Sequence, residues 1–274
     1  MILSRLLKRL SMAKGRVLII AGSDSSGGAG IQADIKTVTM LGGYAATAIT
    51  ALTAQNTLGV FGVMDVPADF VTSQIELVLS DIGADAIKTG MLNNVAVVEA
   101  VADCLAAYAH IPLVVDPVMV STSGSKLLQD DALEVLIKSL IPQANLVTPN
   151  IPEAEMLAGV KVISKDDMIR AASIILEMGA GAVLLKGGHG ESDVISDVLM
   201  DSAGDVQVFE SKRIDSKHTH GTGCTLASAI ACGVAKGMSL RDSVEVARLY
   251  VQEAIKSAPG YGEGGGVLGH GLVG

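Results

Sequence analysis

The hydrophobic residues of this chain follow two alternating patterns. Short apolar runs rich in β-branched residues, which are typical of buried strands, precede longer segments in which apolar residues recur at helical spacing. The predicted strands are 16–21, 44–52, 59–65, 85–88, 112–116, 145–148, 182–186, 194–201 and 206–211. The predicted helices are 30–41, 68–80, 96–108, 132–140, 152–157, 166–178, 225–236 and 240–257. This order predicts an α/β fold in which helices cover both faces of a mostly parallel sheet, and a hairpin formed by the last two strands.

The two ends of the chain depart from this pattern. Residues 1–15 carry basic but no acidic side chains, and the apolar residues among the first ten could form one face of a short amphipathic helix. The apolar run is too short and too interrupted for a signal peptide. We expect this extension to be dispensable, with Met12 as an alternative start, and residues 16–274 to form one domain. The glycine-rich tail from Pro259 has no periodicity, which predicts a loop or a flexible end.

Composition and charge exclude several classes of partner. The net charge is −9, aromatic residues make up 3% of the chain and there is no Trp, so neither electrostatics nor base stacking favours a nucleic-acid partner. No later apolar run reaches the roughly 20 residues needed to span a membrane. The cysteines Cys104, Cys224 and Cys232 are odd in number and widely spaced, which favours a reducing compartment over a disulfide scaffold. We therefore expect a cytoplasmic protein without a nucleic-acid or membrane partner.

The most informative segment is residues 218–226, with the sequence HTHGTGCTL. Its glycines and threonines stand just before an apolar run with helical spacing, which predicts a turn that opens into a buried helix. Free N–H groups and the helix dipole bind anions at such a terminus, so Gly221, Thr222, Gly223 and Cys224 form a candidate anion hole. The same position favours the thiolate form of Cys224. An anion cradle beside a potential base indicates phosphoryl or acyl transfer; the alternative is a plain turn with a small core cysteine.

Polar clusters follow several other predicted strands. They are GSDSSGGAG at 22–30, KTGM at 88–91, DPVM at 116–119, TPN at 148–150 and KGGH at 186–189. Glycine and aspartate also favour turns for reasons of their own. Because ligands of such folds bind beyond the carboxyl ends of the strands, five clusters at these ends indicate a site.

Common nucleotide and metal signatures do not explain these clusters. Gly28 stands where a Walker A motif has its lysine, and the G-x-G-x-x-G pattern at 264–269 has no helix after it. His218, His220 and Cys224 lack an evident fourth ligand, so they do not form a convincing zinc site.

In this combination of motifs the chain resembles the hydroxymethylpyrimidine/phosphomethylpyrimidine kinases, a thiamine-biosynthesis family with the ribokinase-like fold. The motifs are AGSDSSGGAGIQAD at 21–34, TALTAQNT at 50–57, VDPVM at 115–119, TPNIPEA at 148–154, LKGGH at 185–189 and the turn at 221–224. The resemblance covers roughly residues 16–271; the family usually has proline where this chain has Leu272. It implies a three-layer ribokinase-like fold and ATP-dependent phosphorylation of 4-amino-5-hydroxymethyl-2-methylpyrimidine to its monophosphate and then its diphosphate.

The resemblance also implies a substrate pocket. Gln55 would read the pyrimidine, because a carboxamide offers a donor and an acceptor side by side to a ring nitrogen and its exocyclic amine. Met91 and Val118 would pack on the ring, and Gly22 would lie in the same pocket. Asp34, one turn into the first helix, would face the glycine loop and hold the amino group. The alternatives are a glutamine that caps a turn, ordinary core residues and a solvated helix aspartate.

At the phosphate end, the resemblance implies that Lys186 adds positive charge to the anion hole and binds the nucleotide together with Asn150. Glu153, with Asp116, would organise Mg²⁺, which prefers oxygen ligands and keeps several waters. Asn150 and Glu153 also have the spacing of a helix-capping pair, which is the alternative for these two residues.

Cys224 stands where ribokinase-like enzymes generally place the aspartate that acts as general base. The resemblance is to the branch with cysteine there, which favours hydroxymethylpyrimidine over sugars. One alternative is a pyridoxine/pyridoxal kinase, because a cysteine-bearing branch of the family also handles those vitamers. Another is a non-catalytic pyrimidine-sensing protein on the same scaffold, although Lys186 and Glu153 argue against it. The family expectation for assembly is a homodimer.

Overall fold

A computed structural model describes residues 15–120, 124, 127–188 and 193–271. The predicted extension therefore lies outside the described residues, except for Gly15. That residue already belongs to the fold, because its carbonyl accepts a hydrogen bond from Tyr44 and a Cβ on it would lie 2.7 Å from the backbone of Ala235.

The described strands form one nine-stranded mixed sheet. They are β1 (Arg16–Asp24), β2 (Tyr44–Asn56), β3 (Gly59–Asp65), β4 (Ala86–Thr89), β5 (Leu113–Val115), β6 (Leu146–Val147), β7 (Ala182–Leu185), β8 (Val194–Asp201) and β9 (Val206–Lys212). Their order is β3-β2-β1-β4-β5-β6-β7-β8-β9. The six strands from β2 to β7 in this order run parallel, whereas β3, β8 and β9 each pair antiparallel with a neighbour.

Helices cover both faces of this sheet, as predicted. They are α1 (Gly30–Met40), α2 (Ala68–Asp81), α3 (Val95–Ala106), α4 (Asp130–Val135), α5 (Ile151–Ala158), α6 (Lys165–Glu177), α7 (Thr222–Ala235) and α8 (Leu240–Lys256). Alternation along β1 separates the two layers: Leu18 and Ile20 pack towards α2, α3, α5 and α6, whereas Val17 and Ile19 pack towards α1, α7 and α8. The prediction of a three-layer α/β fold is confirmed.

Several element boundaries differ from the prediction. Strands β1 and β2 continue three and four residues further than predicted, because their polar ends still pair in the ladder. The predicted helix at 132–140 is a short α-helix that passes into a π-helical turn at Leu136–Leu140. Helix α7 begins at Thr222 rather than at residue 225, which places Cys224 inside its first turn.

The glycine-rich tail is a loop, but the expectation of a flexible end is wrong for residues up to 271. Val267 forms a β-bridge with His220, and the N–H of Gly269 donates to the carbonyl of Ala254 over 2.9 Å. His270 is buried, and its ring lies 2.8 Å from the hydroxyl of Thr225. Glycine gives no helical or strand period, so the sequence pattern did not show that backbone contacts fix this segment.

A buried ion pair joins α1, β4 and α7. Lys88, in the middle of β4, has no exposed surface, and its Nζ lies 2.9 and 3.0 Å from the two carboxylate oxygens of Asp34 on α1. Ser228 on α7 donates to the same carboxylate over 2.7 Å. Burial is the largest influence on Lys88 and opposes its charged form, but the charge and hydrogen bond of Asp34, together with the other acidic groups nearby, outweigh it, so the pKa of the lysine is raised. The lysine therefore stays charged inside the protein.

We expect Lys88→Met to destabilise the fold by about 3–5 kcal/mol, because it leaves the buried carboxylate of Asp34 without its counter-charge. The double variant Lys88→Met/Asp34→Leu should be more stable than the single variant, since it removes both charges. Urea denaturation of the two variants and the wild type measures both differences.

Lys256→Met is the matched control, because Lys256 pairs with Glu253 over 2.7 Å on the exposed surface of α8. It should change stability little, as exposed ion pairs are worth little. A double variant as unstable as Lys88→Met, or more so, would mean that volume rather than unpaired charge accounts for the loss.

Candidate active site

The polar clusters predicted at the strand ends gather at one edge of the sheet. The five strands β1, β4, β5, β6 and β7 are parallel, so their carboxyl ends point the same way. The glycine loop follows β1 and runs into α1, and the other clusters follow β4 to β7 in turn. The N-terminus of α7 lies against the same edge, because Gly223 is next to Lys186 and Asp116.

The predicted anion hole is a turn that only glycine can make. Gly221 caps α7 with a φ of 86°, in the left-handed region. A Cβ on this residue would lie 1.9 Å from the carbonyl oxygen of Gly28 in the glycine loop. Thr222, Gly223 and Cys224 form the first turn of α7. The N–H of Thr222 donates to the carbonyl of Thr219 over 3.3 Å, whereas no earlier helical carbonyl is available to the N–H groups of Gly223 and Cys224. The structure thus places the four predicted residues together in one turn at the N-terminus of α7.

Two helix N-termini meet at Cys224. The thiol lies in the first turn of α7, and its sulfur accepts a hydrogen bond from the N–H of Gly30, the first residue of α1. Burial nevertheless raises the pKa of Cys224 to about 12, against the opposing charge of Lys88. The expectation of a favoured thiolate is therefore wrong, because desolvation of the charged form outweighs the helix termini and the nearby cation.

Lys186 reaches the anion hole from the end of β7. Its Nζ lies 3.1 Å from Oδ1 of Asp116 and 3.3 Å from the point that a Cβ on Gly223 would occupy. Asp116 also accepts a hydrogen bond of 3.0 Å from the hydroxyl of Thr148. Burial opposes the charge of Lys186, but Asp116 and Glu153 more than compensate and raise its pKa. The glycine at 223 thus leaves room for a permanent positive charge beside the turn.

Glu153 and Asn150 form a capping box at the start of α5. The Asn150 side chain accepts from the N–H of Glu153 over 2.9 Å, and the Glu153 carboxylate accepts from the N–H of Asn150 over 2.8 Å. Glu153 is also buried beside Lys186 and Asp116. Burial raises the pKa of Glu153 to about 7, and the charge of Asp116 adds to the effect against that of Lys186. Asn150 and Glu153 therefore do cap the helix, and the same contacts hold the Glu153 carboxylate beside Lys186 and Asp116.

The candidate apolar pocket is a cluster of residues that packs around Met91, next to the glycine loop. Met91 packs with two other buried residues and two partly buried ones, which are Ala51, Leu127, Val60 and Val118. A Cβ on Gly22 would lie 3.2 Å from the sulfur of Met91, so this glycine forms part of the wall. The structure brings together Gly22, Met91 and Val118 as predicted, whereas the hydrophobic pattern did not single out Ala51, Val60 or Leu127.

Gln55 projects from the end of β2 towards the glycine loop. The two ends of its amide lie 3.1 Å from Oγ1 of Thr53 and 3.3 Å from Nε2 of His220. Ser25 of the glycine loop accepts from its backbone N–H over 2.9 Å. Gln55 is the partner of Val60 in the β2–β3 ladder, and Val60 packs against the cluster around Met91.

Asp34 is not where the sequence placed it. Its carboxylate is fully buried by the contacts with Lys88 and Ser228, so it neither faces solvent nor offers surface to a ligand. Lys88 and Asp24 lie in polar clusters that the sequence singled out, but the sequence did not predict that Lys88 pairs with Asp34 or that Asp24 pairs with His220. A lysine inside the apolar run at 86–89 and a histidine directly before the glycine turn were the available signals.

Within the described ranges, no three side chains of His, Cys, Asp or Glu lie close enough to hold a metal ion by themselves. Nor does that part of the chain contain a helix of the length and hydropathy needed to cross a membrane.

Known proteins with similar sequences are kinases of the family that the sequence motifs indicated. The family model for phosphomethylpyrimidine kinase matches residues 24–269. The chain is 46% identical over 256 residues to a hydroxymethylpyrimidine/phosphomethylpyrimidine kinase of Bacillus subtilis, and it spans 94% of that protein. It is 49% identical over 263 residues to the thiamine biosynthesis bifunctional protein ThiED of Geobacter sulfurreducens. Because the alignment with that bifunctional relative covers 54% of its length, the chain corresponds to one part of it.

Solved structures confirm the ribokinase-like fold. A phosphomethylpyrimidine kinase of Clostridium difficile superimposes with a TM-score of 0.79 at 44% identity, covering 88% of this chain and 100% of that one. The ADP complex of a Bacillus subtilis pyridoxal kinase superimposes with a TM-score of 0.87 at 35% identity, covering 94% and 98%. A pyridoxal complex of the Staphylococcus aureus pyridoxal kinase gives 0.87 at 37% identity, covering 94% of each chain.

The family that the sequence motifs indicated is thus confirmed by a match over most of the chain and by overall structure: the chain belongs to the phosphomethylpyrimidine kinase family.

Proposed function

We propose that this enzyme transfers the γ-phosphoryl group of ATP to 4-amino-5-hydroxymethyl-2-methylpyrimidine, and then a second group to the resulting monophosphate, in thiamine biosynthesis. One observation carries the proposal. An amide-lined apolar pocket around Gln55 and Met91 adjoins an anion turn that holds Cys224 and Lys186. A flat aminopyrimidine fits the first part, and a phosphoryl group in transfer fits the second.

The chemistry divides between the two parts of the site. The acceptor hydroxyl attacks the γ-phosphorus, its O–H proton must leave, and the bond to the leaving ADP oxygen breaks. The N–H groups of the turn and the ammonium of Lys186 stabilise the charge on the transferred group. Cys224 lies at the junction of α7 and the glycine loop, and we assign it the proton of the acceptor hydroxyl.

Asp116 and Glu153 suit a magnesium ion that is shared with the nucleotide. Both carboxylates are buried and lie beside Lys186. Glu153 already accepts hydrogen bonds from the N–H groups of Asn150 and Met119, so it would hold the ion through water. Mg²⁺ keeps several waters and is commonly bound by one or two carboxylates together with substrate phosphates. When bound, the ion would neutralise charge on the phosphates.

A pyridoxine or pyridoxal kinase is the second candidate function. The observation in its favour is the TM-score of 0.87 with two pyridoxal kinases, one of them in complex with pyridoxal. Overall shape does not fix the acceptor, however, because the same fold can carry different sites.

Steady-state kinetics with Mg-ATP and three acceptors test the function directly. We expect the highest kcat/KM with hydroxymethylpyrimidine, measurable turnover of its monophosphate, and a lower value for pyridoxine, since Gln55 offers a donor and an acceptor to an aminopyrimidine edge. A higher kcat/KM for pyridoxine would favour the second candidate. ATP binding without turnover of any of the three would contradict both kinase assignments.

Cys224→Ala should lower turnover of hydroxymethylpyrimidine much more than turnover of its monophosphate. A general base contributes roughly 10²–10⁴-fold to a step in which a neutral hydroxyl must lose its proton. The monophosphate has a second pKa of about 6 and is already anionic at neutral pH. Because burial raises the pKa of Cys224 to about 12, turnover of hydroxymethylpyrimidine by the wild type should rise with pH across the accessible range. Cys224→Asp should partly restore this step and flatten its pH dependence.

The comparison is made at saturating Mg-ATP, with the melting temperature of each variant as the control for folding. Equal losses for both acceptors in the alanine variant would show that Cys224 acts through packing or through the geometry of the anion hole.

We also propose that the enzyme is a cytoplasmic homodimer. All three cysteines are free, which supports a reducing compartment. Support for the dimer comes from β3, an edge strand that pairs on one side only, with β2. Phe61 and Met64 on this strand and Phe70 and Leu77 on α2 are all at least 60% exposed. Exposed apolar side chains on an edge strand and on the neighbouring helix are typical of an interface, and a second copy is the occupant that we propose.

Sedimentation equilibrium should therefore give a dimer for the wild type and a monomer for Phe61→Lys/Met64→Lys. Ile163→Lys is the matched control, because Ile163 is 91% exposed on the loop before α6 and should leave the mass unchanged. A monomeric wild type at micromolar concentration would contradict the proposal.

A further inference from the structure

We propose that His220 is a positioning residue that fixes the direction of the Gln55 amide and thereby sets which edge of the acceptor ring the site reads. The inference rests on the proposed function, because it concerns the same acceptor pocket. It assigns a purpose to a histidine that takes no part in the phosphate chemistry.

The geometry places one nitrogen between two partners. Nε2 of His220 lies 2.9 Å from Oδ2 of Asp24 and 3.3 Å from the amide of Gln55. The ring is 7% exposed, and Gly28 and Val267 press against it so closely that a Cβ on Gly28 would lie 2.4 Å from the ring. The imidazole is therefore held in place from several sides, and it cannot turn away from either partner without moving the glycine loop.

The carboxylate decides where the proton of the ring lies. Asp24 accepts hydrogen bonds from Ser26 and from the N–H groups of Gly28 and Ala29, as well as from the histidine. Burial opposes its charge, but these donors, led by His220, lower the pKa of Asp24 to about 2. A carboxylate only accepts hydrogen bonds, so the contact of 2.9 Å requires a hydrogen on Nε2 of His220. With that hydrogen in place, Nε2 cannot accept one from Gln55.

As placed, the amide of Gln55 has its nitrogen towards His220 and its oxygen towards Thr53. The hydrogen on Nε2 of His220 favours the exchanged assignment, with the amide oxygen towards His220 and the amide nitrogen towards Thr53. Amide oxygen and nitrogen are distinguished by their hydrogen-bond partners. The other end of the amide agrees, because Thr53 has one hydroxyl proton and the carbonyl of Ser23 lies 3.0 Å away to receive it. The Thr53 oxygen can then accept from the amide NH₂ at 3.1 Å. In this orientation every donor in the chain from Asp24 to Ser23 faces an acceptor, and the single Nε2–H of His220 is shared between Asp24 at 2.9 Å and the oxygen of Gln55 at 3.3 Å.

This orientation leaves one acceptor site and one donor site of Gln55 for a ligand. The free lone pair lies on the side of His220, and the free N–H lies on the side of Thr53. An acceptor ring must therefore place its exocyclic amine towards His220 and its ring nitrogen towards Thr53. The reverse placement would bring donor against donor and acceptor against acceptor, which leaves buried groups unpaired.

The test compares hydroxymethylpyrimidine with 5-hydroxymethyl-2-methylpyrimidine, which lacks the amine. In His220→Phe, KM for the amino compound should rise roughly tenfold, the loss of one oriented hydrogen bond, with kcat nearly unchanged. KM for the compound without the amine should change far less, so discrimination between the two falls. His220→Gln should restore discrimination, because its NH₂ group can donate both to Asp24 and to the oxygen of Gln55.

Two further variants keep the test decisive. Thr53→Val removes the partner at the other end of the amide and should reduce discrimination even if His220→Phe does not fold. In a Gln55→Leu background, His220→Phe should add little to KM for the amino compound, since the two residues act as one unit.

A loss confined to kcat, an equal rise in KM for both acceptors, or additive effects with Gln55→Leu would overturn the inference, because each points to a role in the anion turn. Failure of the wild type to use either pyrimidine would count against the proposed function instead.

Discussion

The site depends on the close approach of two glycine backbones. A Cβ on Gly221 would lie 1.9 Å from the carbonyl oxygen of Gly28, and a Cβ on Gly30 would lie 2.3 Å from the carbonyl oxygen of Gly22. No larger residue allows the loop after β1, the start of α1 and the start of α7 to meet at these distances. This contact aims two helix N-termini at Cys224 and brings His220, the residue before the turn, against the loop. The anion hole and the acceptor pocket are thus consequences of one steric constraint.

The close approach partly buries the turn, and the pairing of the charges around it follows from that burial. Lys88 and Lys186 would be costly to bury alone, and each is matched by a carboxylate, Asp34 below the turn and Asp116 beside it. Dipoles and charges fixed before the reaction need no rearrangement when charge develops on a transferred group. The same desolvation disfavours the thiolate of Cys224. Burial therefore strengthens the electrostatic stabilisation of phosphoryl transfer by the fixed charges. It also makes removal of a proton by the Cys224 thiolate harder, because it disfavours formation of that thiolate.

The extent to which sequence predicts this molecule follows from the range of each interaction. Period and turn chemistry are local, so β3 and β8 are predicted with their observed bounds, and the strand-end clusters with Gly22, Met91, Asp116 and Lys186 indicate one edge. Asp34 and Lys88 are 54 residues apart, and His220 and Asp24 are 196 apart. Such pairs depend on how the layers pack, which no local pattern contains. The prediction of a lowered pKa for Cys224 was wrong for the same reason, because a sequence motif shows a helix terminus but does not show that the terminus is buried.

Similarity of the overall fold and similarity of the acceptor site are separate properties in this family. This chain superimposes better on pyridoxal kinases, with a TM-score of 0.87, than on a phosphomethylpyrimidine kinase at 0.79, yet its sequence identity is 44% with the latter and 35–37% with the former. The shared fold positions a phosphoryl group against an anion turn, and this arrangement does not depend on which ring is phosphorylated.

The choice of acceptor ring depends on the few polar atoms that meet the edge of the ring, because an unpaired buried donor or acceptor costs more than a change of apolar contact. Under the proposed function those atoms belong to Gln55, and the histidine that we propose sets their direction lies 165 residues away in the sequence. Acceptor specificity can therefore change through residues that never touch the ring, while the fold and the phosphate chemistry stay the same.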